Sequence, residues 1–207
     1  VLMAKKSNKQ WLHAQNKDQY VKQARDSHYR SRAIYKLQEI DQKDKLIKPN
    51  TCVVDLGSAP GSWSQYASEQ VKANGRVISV DILPMDPIER VLFILGDFTD
   101  EAVENECIGH IGKQGADLVI SDMAPNLTGI RITDQARSLA LAELVYDFCD
   151  QVLKPGGDLV IKLFEGAGTD EYRRLLKERF AKVMTRKPEA SRDQSREFYV
   201  LARSYRL

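Results

Sequence analysis

Short apolar runs alternate with amphipathic stretches from residue 52 to residue 180, and this alternation restricts the fold more than any other feature of the chain. The runs are rich in Val and Ile and nearly continuous, as expected for strands that are covered on both faces. The predicted strands are residues 52–56, 77–82, 91–95, 118–120 and 159–164. The predicted helices are residues 64–72, 100–111, 134–153 and 170–180. Strands and helices in this order predict an α/β fold with a mostly parallel, doubly wound sheet.

The beginning of the chain departs from this alternation. Residues 1–16 are polar and rich in Lys, Gln and Asn, which predicts a flexible basic tail. Residues 18–27 and 31–45 are predicted to be helices. In the second of these the apolar residues recur at the helical period and leave Lys36 off the apolar face. Residues 17–48 are therefore predicted to be a helical extension in front of the sheet.

The end of the chain also departs from the alternation. Residues 182–186 and 198–205 are both strand-like, and no helical pattern lies between them. We therefore expect a hairpin-like pair at the edge of the sheet, with an antiparallel last strand. The helix that precedes the fifth strand should end at Pro155-Gly156-Gly157. With no internal repeat and a suitable length, residues 17–207 are predicted to form a single domain.

Composition excludes several classes of protein. Of the 207 residues, 43% are hydrophobic and 29% are charged, which is typical of a soluble globular protein. The longest apolar run, residues 91–95, is far shorter than the ~18 residues of a membrane span, and the first ten residues lack the apolar segment of a secretory signal. Cys52, Cys107 and Cys149 are odd in number and lack metal or redox spacing, so we expect reduced, packed thiols in a cytoplasmic protein. No histidine has a partner at metal-ligand spacing, so no metal is predicted.

The net charge of +2 hides a strong asymmetry. Residues 1–48 carry 12 Lys/Arg and 5 Asp/Glu, and residues 173–207 carry 11 and 4. The middle of the chain, residues 49–172, carries 8 Lys/Arg and 20 Asp/Glu. Two basic ends favour contact with a polyanion, because Lys and Arg supply most phosphate contacts. Membrane binding is disfavoured, because neither end has a strong apolar face beside its charges.

A glycine-bearing loop follows the first predicted strand. It reads Asp-Leu-Gly-Ser-Ala-Pro-Gly-Ser-Trp over residues 55–63, with glycines at Gly57 and Gly61. Glycines at this place let backbone N–H groups approach a ligand at the carboxyl end of the strand. The spacing G-x-x-x-G lacks the third glycine of the dinucleotide fingerprint, and Pro60 occupies the loop, which disfavours an NAD site.

Four successive predicted strands end in one ionisable side chain each. These side chains are Asp81, Asp97, Asp122 and Lys162. The carboxyl ends of parallel strands share one edge of the sheet, so the four groups should lie around one crevice. An acid at the tip of the second strand is placed to accept the hydroxyls of a ribose. Three carboxylates disfavour a polyphosphate cofactor and favour S-adenosylmethionine, which carries a sulfonium, an ammonium, a ribose diol and an adenine amine.

These motifs together resemble one family. The loop over residues 55–63, the acid at Asp81, Gly-Asp-Phe around Asp97, Ser-Asp-Met-Ala-Pro-Asn around Asp122 and the strand with Lys162 occur in order, with no large insertion. The chain resembles the FtsJ/RlmE (RrmJ) family of S-adenosylmethionine-dependent RNA ribose 2′-O-methyltransferases from Trp11 to the last strand. The resemblance implies a Rossmann-like methyltransferase fold.

The resemblance also implies roles for individual residues. The catalytic tetrad of the family falls on Lys36, Asp122, Lys162 and Glu197. The cofactor positions, with the first glycine of the loop, fall on Gly57, Gly61, Trp63, Asp81, Asp97 and Asp122. One departure from the family pattern is Ser62, which replaces a second glycine. If that position requires a positive φ, Ser62 costs about 1 kcal/mol.

The expected chemistry is methyl transfer to a ribose 2′-oxygen. Lys162 would take the proton from the hydroxyl, provided that burial and a second ammonium such as Lys36 lower its pKa. If Lys162 stays protonated, it would stabilise the forming alkoxide, and the sequence leaves both roles open. Asp122 would position Lys162, and Glu197 would orient Lys36 or the ribose.

The basic ends supply candidate RNA contacts. Phosphate contacts are predicted for Arg30, Arg32, Arg192 and Arg196, and base stacking is predicted for Tyr29 and Tyr35. Replacing Arg30 and Arg32 together should then weaken RNA binding and spare cofactor affinity.

Within the family, the compact single-domain form resembles the enzymes that act on large-subunit ribosomal RNA. The resemblance implies a uridine of the A-loop as the substrate, modified within the large subunit by a monomeric, cytoplasmic enzyme that aids ribosome maturation. A transfer-RNA ribose methyltransferase of the same family is the alternative. Two readings from other classes stay open, a nicotinamide-dependent oxidoreductase and a non-catalytic RNA-binding domain. The first would favour a third glycine in the loop and has no need of Lys162.

Overall fold

The computed structural model describes residues 18–125, 128–191 and 195–206. The predicted tail over residues 1–16 and the candidate Arg192 lie outside these ranges. The described helices are α1 (Gln19–Asp26), α2 (Ile34–Asp44), α3 (Ser62–Val71), α4 (Glu101–Ile111), α5 (Arg131–Val152) and α6 (Thr169–Arg179). The described strands are β1 (Cys52–Leu56), β2 (Arg76–Asp81), β3 (Val91–Leu95), β4 (Ala116–Ser121), β5 (Leu153–Phe164), β6 (Phe180–Arg186) and β7 (Glu197–Tyr205). Among the described helices, none is long and apolar enough to cross a membrane.

The strands form one sheet in the order β3-β2-β1-β4-β5-β7-β6. Strands β1 to β5 pair in parallel, and β7 is antiparallel to both of its neighbours. The predicted fold class, with an antiparallel last strand, is therefore confirmed. Chain order reverses on either side of β1, which pairs with β2 on one side and with β4 on the other. Such a reversal opens a crevice at the carboxyl ends of the strands, where ligands bind in open α/β sheets.

Helices cover both faces of the sheet. Helices α1, α2 and α3 pack on one face, and α4, α5 and α6 pack on the other. Consecutive residues of one strand therefore join different cores, as Val53 and Val54 of β1 do. This double covering explains why the strands read as continuous apolar runs.

Two predictions about the strands are wrong. Strand β3 lies at the edge of the sheet, and its Leu92 and Leu95 are 38% and 60% exposed, so it is not covered on both faces. Strand β5 begins at Leu153, directly after α5, rather than at residue 159, so the Pro-Gly-Gly sequence lies within the strand. The register between β4 and β5 shifts over this proline and its glycines, because proline cannot donate to a ladder of hydrogen bonds.

The three cysteines are buried free thiols. Cys107 and Cys149 lie in the core between the sheet and helices α4 and α5. Burial raises the pKa of the Cys107 thiol to about 12, so this side chain stays protonated and unreactive. The thiols therefore act in packing, as the sequence predicts.

Candidate active site

A cavity of about 620 Å³ lies at the carboxyl ends of the parallel strands. Its polar wall includes the predicted carboxylates Asp81, Asp97 and Asp122. Its apolar wall comes from the loops after the strands and from one side of α5, chiefly Leu83, Phe98, Met123, Leu141 and Leu144. A cavity of this volume is typical of sites for small organic cofactors, which occupy about 300–1,000 Å³.

Both predicted glycines of the loop after β1 have a left-handed backbone. Gly57 lines the cavity with φ of 78°, and a Cβ added there would lie 2.4 Å from the Met123 side chain. Gly61 has φ of 103° and is the residue before α3, and an added Cβ would lie 2.8 Å from the Met85 sulfur. A larger residue at either position would therefore need both backbone strain and a shift of its neighbours.

The two residues that follow Gly61 differ from expectation. Ser62 is the first residue of α3 and is not among the residues with a positive φ, so the expected strain does not arise. Its hydroxyl lies 2.8 Å from that of Ser31. Trp63 does not line the cavity, because the first turn of α3 directs its indole into the core beside α2. Its indole N–H donates to the Ala33 carbonyl at 2.8 Å, and the predicted cofactor contact of Trp63 stays a prediction.

Backbone hydrogen bonds hold two of the carboxylates in place. Asp81 accepts the N–H groups of Ala59 and Leu83, each at 2.8 Å. Asp97 accepts the backbone N–H and the hydroxyl of Thr99, and these bonds lower the pKa of Asp97, so it is charged at neutral pH. The carboxylates do not converge on one point. In the part of the chain that the structure describes, no group of three or more His, Cys, Asp or Glu side chains is arranged to hold a metal ion.

The four predicted tetrad residues form two ion pairs. The Lys162 ammonium lies 3.0 Å from Oδ1 of Asp122 and 2.5 Å from its backbone oxygen. The Lys162 side chain is only 8% exposed, which is low for a lysine in a sheet. The Lys36 ammonium lies 2.5 Å from Oε1 of Glu197. Glu197 therefore contacts Lys36, which is one of the two partners that the sequence analysis gave it.

Tyr199 connects the two ion pairs and was not predicted from the sequence. Its hydroxyl donates to Oδ1 of Asp122 at 2.8 Å, and the Lys36 ammonium lies 5.9 Å from the centre of its ring. Burial, together with the charges of Asp122 and Glu197, raises the pKa of Tyr199, so its hydroxyl stays a donor. Tyr199 faces Lys162 in the pairing of β5 with β7. Its place in β7, two residues after Glu197 and on the same face, is a sequence signal only once Glu197 is assigned to the site.

A buried carboxyl group lies beneath the loop. Asp55 of β1 is fully buried, and the Ser64 hydroxyl donates to its Oδ2 at 2.5 Å. Its Oδ1 has no hydrogen-bond partner. Burial raises the pKa of Asp55 to about 7, the bond from Ser64 opposes this, and the carboxylates of Asp122 and Asp81 add to it. Asp55 therefore titrates near neutral pH.

This pKa predicts how stability depends on pH. Between pH 4 and pH 7 the folded protein keeps a proton on Asp55 that the unfolded chain has lost. Raising the pH through this window therefore lowers the free energy of unfolding by about 1.4 kcal/mol per pH unit from this group. The neutral amide of Asp55→Asn lacks this dependence. We expect the difference in stability between the wild type and Asp55→Asn to change by about 3 kcal/mol from pH 4 to pH 7, in favour of the variant.

Urea unfolding of both proteins at pH 4, 5.5 and 7 measures this difference. A difference that stays constant across the three pH values would show that Asp55 does not titrate in this window.

The arginines of the N-terminal segment bind other parts of the protein. Arg30 donates to the carbonyl oxygens of Pro60 at 3.1 Å, Asp86 at 2.7 Å and Pro87 at 2.9 Å. It therefore joins the segment before α2 to the loop after β1 and to the loop after β2. Arg32 pairs with Asp18 and donates to the Ala190 carbonyl. These bonds hold both side chains against the protein, and the contact of Arg30 and Arg32 with RNA phosphates stays a prediction.

The predicted stacking tyrosines have different surroundings. Tyr35 is 7% exposed and packs in the core with Tyr20, at 5.5 Å between ring centres, so it presents no face for base stacking and that prediction is corrected. Tyr29 is half-buried, and its hydroxyl donates to Glu69 at 3.3 Å. Arg196 is exposed and donates to the Glu165 carbonyl.

The sequence analysis expected replacement of Arg30 and Arg32 to spare cofactor affinity. The contacts of Arg30 lead us to expect a loss of cofactor affinity instead. We expect Arg30→Ala to lower the affinity for S-adenosylmethionine, the predicted cofactor, about tenfold, because one of the lost bonds holds the loop after β1 at Pro60. Isothermal titration calorimetry measures this affinity. The matched control is Arg25→Ala, which removes an exposed arginine of α1 and should leave the affinity unchanged. If Arg30→Ala and the wild type bind S-adenosylmethionine with equal affinity, the bonds of Arg30 do not contribute to cofactor binding.

Comparison with known proteins places this geometry in context. Residues 29–205 match the family model described as FtsJ-like methyltransferase. The "Ribosomal RNA large subunit methyltransferase E" of Legionella pneumophila (strain Corby) is 51% identical over 202 residues, which cover 98% of each chain. A crystal structure described as a ribosomal RNA methyltransferase from Plasmodium falciparum has a TM-score of 0.78 and 32% identity, and covers 86% of this chain and 98% of that one. A fibrillarin from Aeropyrum pernix with natively bound S-adenosyl-L-methionine has a TM-score of 0.57 over 82% of this chain and 75% of its own, at 14% identity, and shows likeness of fold alone.

Proposed function

The chain belongs to the FtsJ-like methyltransferase family, and from this premise we propose that it methylates a ribose 2′-hydroxyl of large-subunit ribosomal RNA, at a uridine of the A-loop. The methyl donor is S-adenosylmethionine. The observation that carries the proposal is the ammonium of Lys162, buried in a strand and paired with Asp122 at the wall of the cofactor-sized cavity. Hydride transfer from a dinucleotide does not require the Lys162–Asp122 pair. Membership of a methyltransferase family also argues against the oxidoreductase alternative.

The residues of the cavity fit S-adenosylmethionine, which when bound supplies a methyl group on a cationic sulfur. Gly57 keeps the mouth of the cavity open, because a Cβ there would collide with Met123. Asp81, at the tip of β2, would accept from the ribose hydroxyls, and Asp97 would accept from the adenine amine. Asp122 places a carboxylate beside the positive charge of the donor. Three carboxylates in one wall would repel a pyrophosphate at neutral pH.

Lys162 is proposed to bind the 2′-hydroxyl of the substrate. Its nitrogen makes two contacts with Asp122, at the carboxylate and at the backbone oxygen, which leaves one position on the nitrogen for a substrate. In the neutral amine that position is a lone pair, which would accept the hydroxyl proton while the oxygen takes the methyl group from the cationic sulfur, which leaves as a neutral thioether. In the ammonium it is an N–H, which holds the oxygen while the proton leaves to water. In both cases the fixed nitrogen aligns the attacking oxygen, and alignment accounts for much of the rate enhancement in displacement reactions.

Tyr199, Lys36 and Glu197 support this arrangement. The Tyr199 hydroxyl donates to the same oxygen of Asp122 that Lys162 contacts, so it fixes the orientation of the carboxylate. Glu197 holds the ammonium of Lys36 over the ring of Tyr199. We assign Lys36 and Glu197 to orienting the ribose, because both side chains are 13% exposed and so reach solvent at the edge of the site.

The charges at the two ends of the chain support docking on RNA. The extension over residues 17–48 is proposed to contact RNA through its exposed cations, among them Lys22 and Arg25, since Arg30 and Arg32 are bonded within the protein. The enzyme is proposed to act as a cytoplasmic monomer on the large ribosomal subunit. The tail over residues 1–16 adds positive charge to the same end of the chain.

The test is methyl transfer from labelled S-adenosylmethionine to large ribosomal subunits that lack the modification, with transfer RNA as a second substrate. Digestion to nucleosides followed by mass spectrometry should identify 2′-O-methyluridine, and nuclease mapping should place it in the A-loop. Label on a base, or on transfer RNA alone, would overturn the proposal.

A further inference from the structure

A second cavity of about 450 Å³ lies between the first half of α5 and the turn that joins β5 to α6. Its apolar lining includes Ile132, Ala136 and Leu139 from α5, and two arginines, Arg131 and Arg196, belong to its wall. Both arginines are exposed. The cofactor cavity lies against a different side of α5, which separates the two cavities.

The second cavity lies at the same edge of the sheet as the tetrad. Arg196 directly precedes Glu197, which holds Lys36. The backbone N–H of Glu165 donates to the Arg196 carbonyl at 3.0 Å, so the turn after β5 is tied to the start of β7. This turn begins three residues after Lys162. The lining of the second cavity therefore lies close along the chain to Lys162 and Glu197 of the two ion pairs.

Hydrogen bonds and close packing join the two walls of the second cavity. The amide nitrogen of Gln135 donates to the carbonyl oxygens of Phe164 at 3.1 Å and Ala167 at 3.2 Å, which fixes α5 to the turn. A Cβ on Gly168 would lie 2.4 Å from Leu139, so a glycine is required for the turn to pack this closely. These contacts fix the two walls of the cavity relative to each other.

We propose that the second cavity binds an unpaired nucleobase of the RNA next to the target nucleotide, with Arg131 and Arg196 on the adjoining phosphates. The proposal rests on the methyl transfer to RNA proposed above. A flat, largely apolar base matches the aliphatic lining, and two exposed guanidinium groups match a phosphate chain. The volume is ample for one base. Ile132 is 83% exposed beside these arginines, and a solvent-exposed isoleucine at a basic site is well placed to pack against a base.

The neighbouring acidic group does not cancel this charge. The carboxylate of Glu165 lies 3.8 Å from the guanidinium of Arg173. The guanidinium of Arg196 donates to the backbone oxygen of Glu165, which fixes its position. Among the described residues, Glu165 therefore has Arg173 as its ion-pair partner rather than Arg131 or Arg196.

Two kinds of variant test the proposal separately. The first replaces both arginines, Arg131→Gln with Arg196→Gln. The second, Ala136→Trp, fills the cavity from an exposed position of α5 and changes no charge. The control is Arg174→Gln, which removes a 72% exposed arginine on α6. The substrate is the large ribosomal subunit that lacks the methyl group, and the readouts are KM for subunits at several salt concentrations and Kd for S-adenosylmethionine.

We expect both kinds of variant to raise KM for subunits at least tenfold and to leave the cofactor Kd unchanged. Only the double arginine variant should also flatten the dependence of log KM on log salt, by about 1.4 for two lost phosphate contacts on a single strand. Ala136→Trp should keep the salt dependence of the wild type. If both variants keep the wild-type KM and salt dependence, the base site is wrong. If the wild type itself transfers no methyl group to RNA, the proposed function fails instead.

Discussion

Lys162→Met will lose at least a thousandfold in the rate of methyl transfer and keep its affinity for S-adenosylmethionine. The methionine side chain has a similar length, so it fills the space within β5 but offers neither an N–H nor a lone pair to the 2′-oxygen. Loss of a positioned acid or base lowers rates by about 10²–10⁴-fold, and loss of alignment adds to this. Removing the ammonium leaves the carboxylate of Asp122 beside the cofactor, which favours binding of a cationic donor. Single-turnover methyl transfer and calorimetry measure the two quantities.

The same strand offers a matched control. Lys154 of β5 also forms an ion pair with an aspartate, at 2.9 Å from Asp117, but at the opposite end of the strand. Lys154→Met removes the same chemical group from the same strand and should keep wild-type activity. If Lys162→Met keeps more than a tenth of the wild-type rate, Lys162 has no part in the chemistry.

The sheet was predictable because each strand leaves a local signal. Burial on both faces makes a strand continuously apolar, so β1 was predicted with its correct ends. The ends of β3 were also predicted correctly, but its burial on both faces was not. An apolar edge strand has the same local sequence as a central one. Position in a sheet depends on pairing between distant segments, which no single run of residues encodes.

The site was predictable to the extent that strand ends share one edge of the sheet. That argument placed Asp81, Asp97 and Asp122 around one cavity, as the structure does. It did not find Tyr199, because a buried tyrosine in an apolar strand resembles any other core residue. Only the antiparallel register of β7 against β5 brings its hydroxyl to Asp122.

The sequence also could not show which arginines of the extension form hydrogen bonds within the protein. An arginine in a polar segment looks exposed in sequence, yet the carbonyls that accept from Arg30 lie 30 or more residues away. The sequence does not show which backbone carbonyls of a loop are free to accept a hydrogen bond from a distant side chain. Charge counts therefore predicted which ends of the chain are basic, but not which of their arginines remain available to RNA.

Asp81→Ala will weaken S-adenosylmethionine binding by about 10²–10⁴-fold, which corresponds to two charge-assisted hydrogen bonds to the ribose. The carboxylate is held by the N–H groups of Ala59 and Leu83, and each of its oxygens keeps a second lone pair for a hydroxyl. The control is Asp100→Ala, which removes an aspartate that accepts one backbone N–H bond at the start of α4 and does not line the cavity. That variant should lose about 1 kcal/mol of stability as a helix cap and keep its cofactor affinity.

A cofactor analogue separates the ribose contact from a disturbed loop. An analogue without the ribose 2′- and 3′-hydroxyls should bind the wild type weakly, for want of the bonds to Asp81. If Asp81 binds the ribose, the analogue should bind Asp81→Ala with no further loss, because the partner of the missing hydroxyls is already gone. If the losses from the variant and the analogue instead multiply, Asp81 acts only by holding Ala59 and Leu83, and the ribose is bound elsewhere.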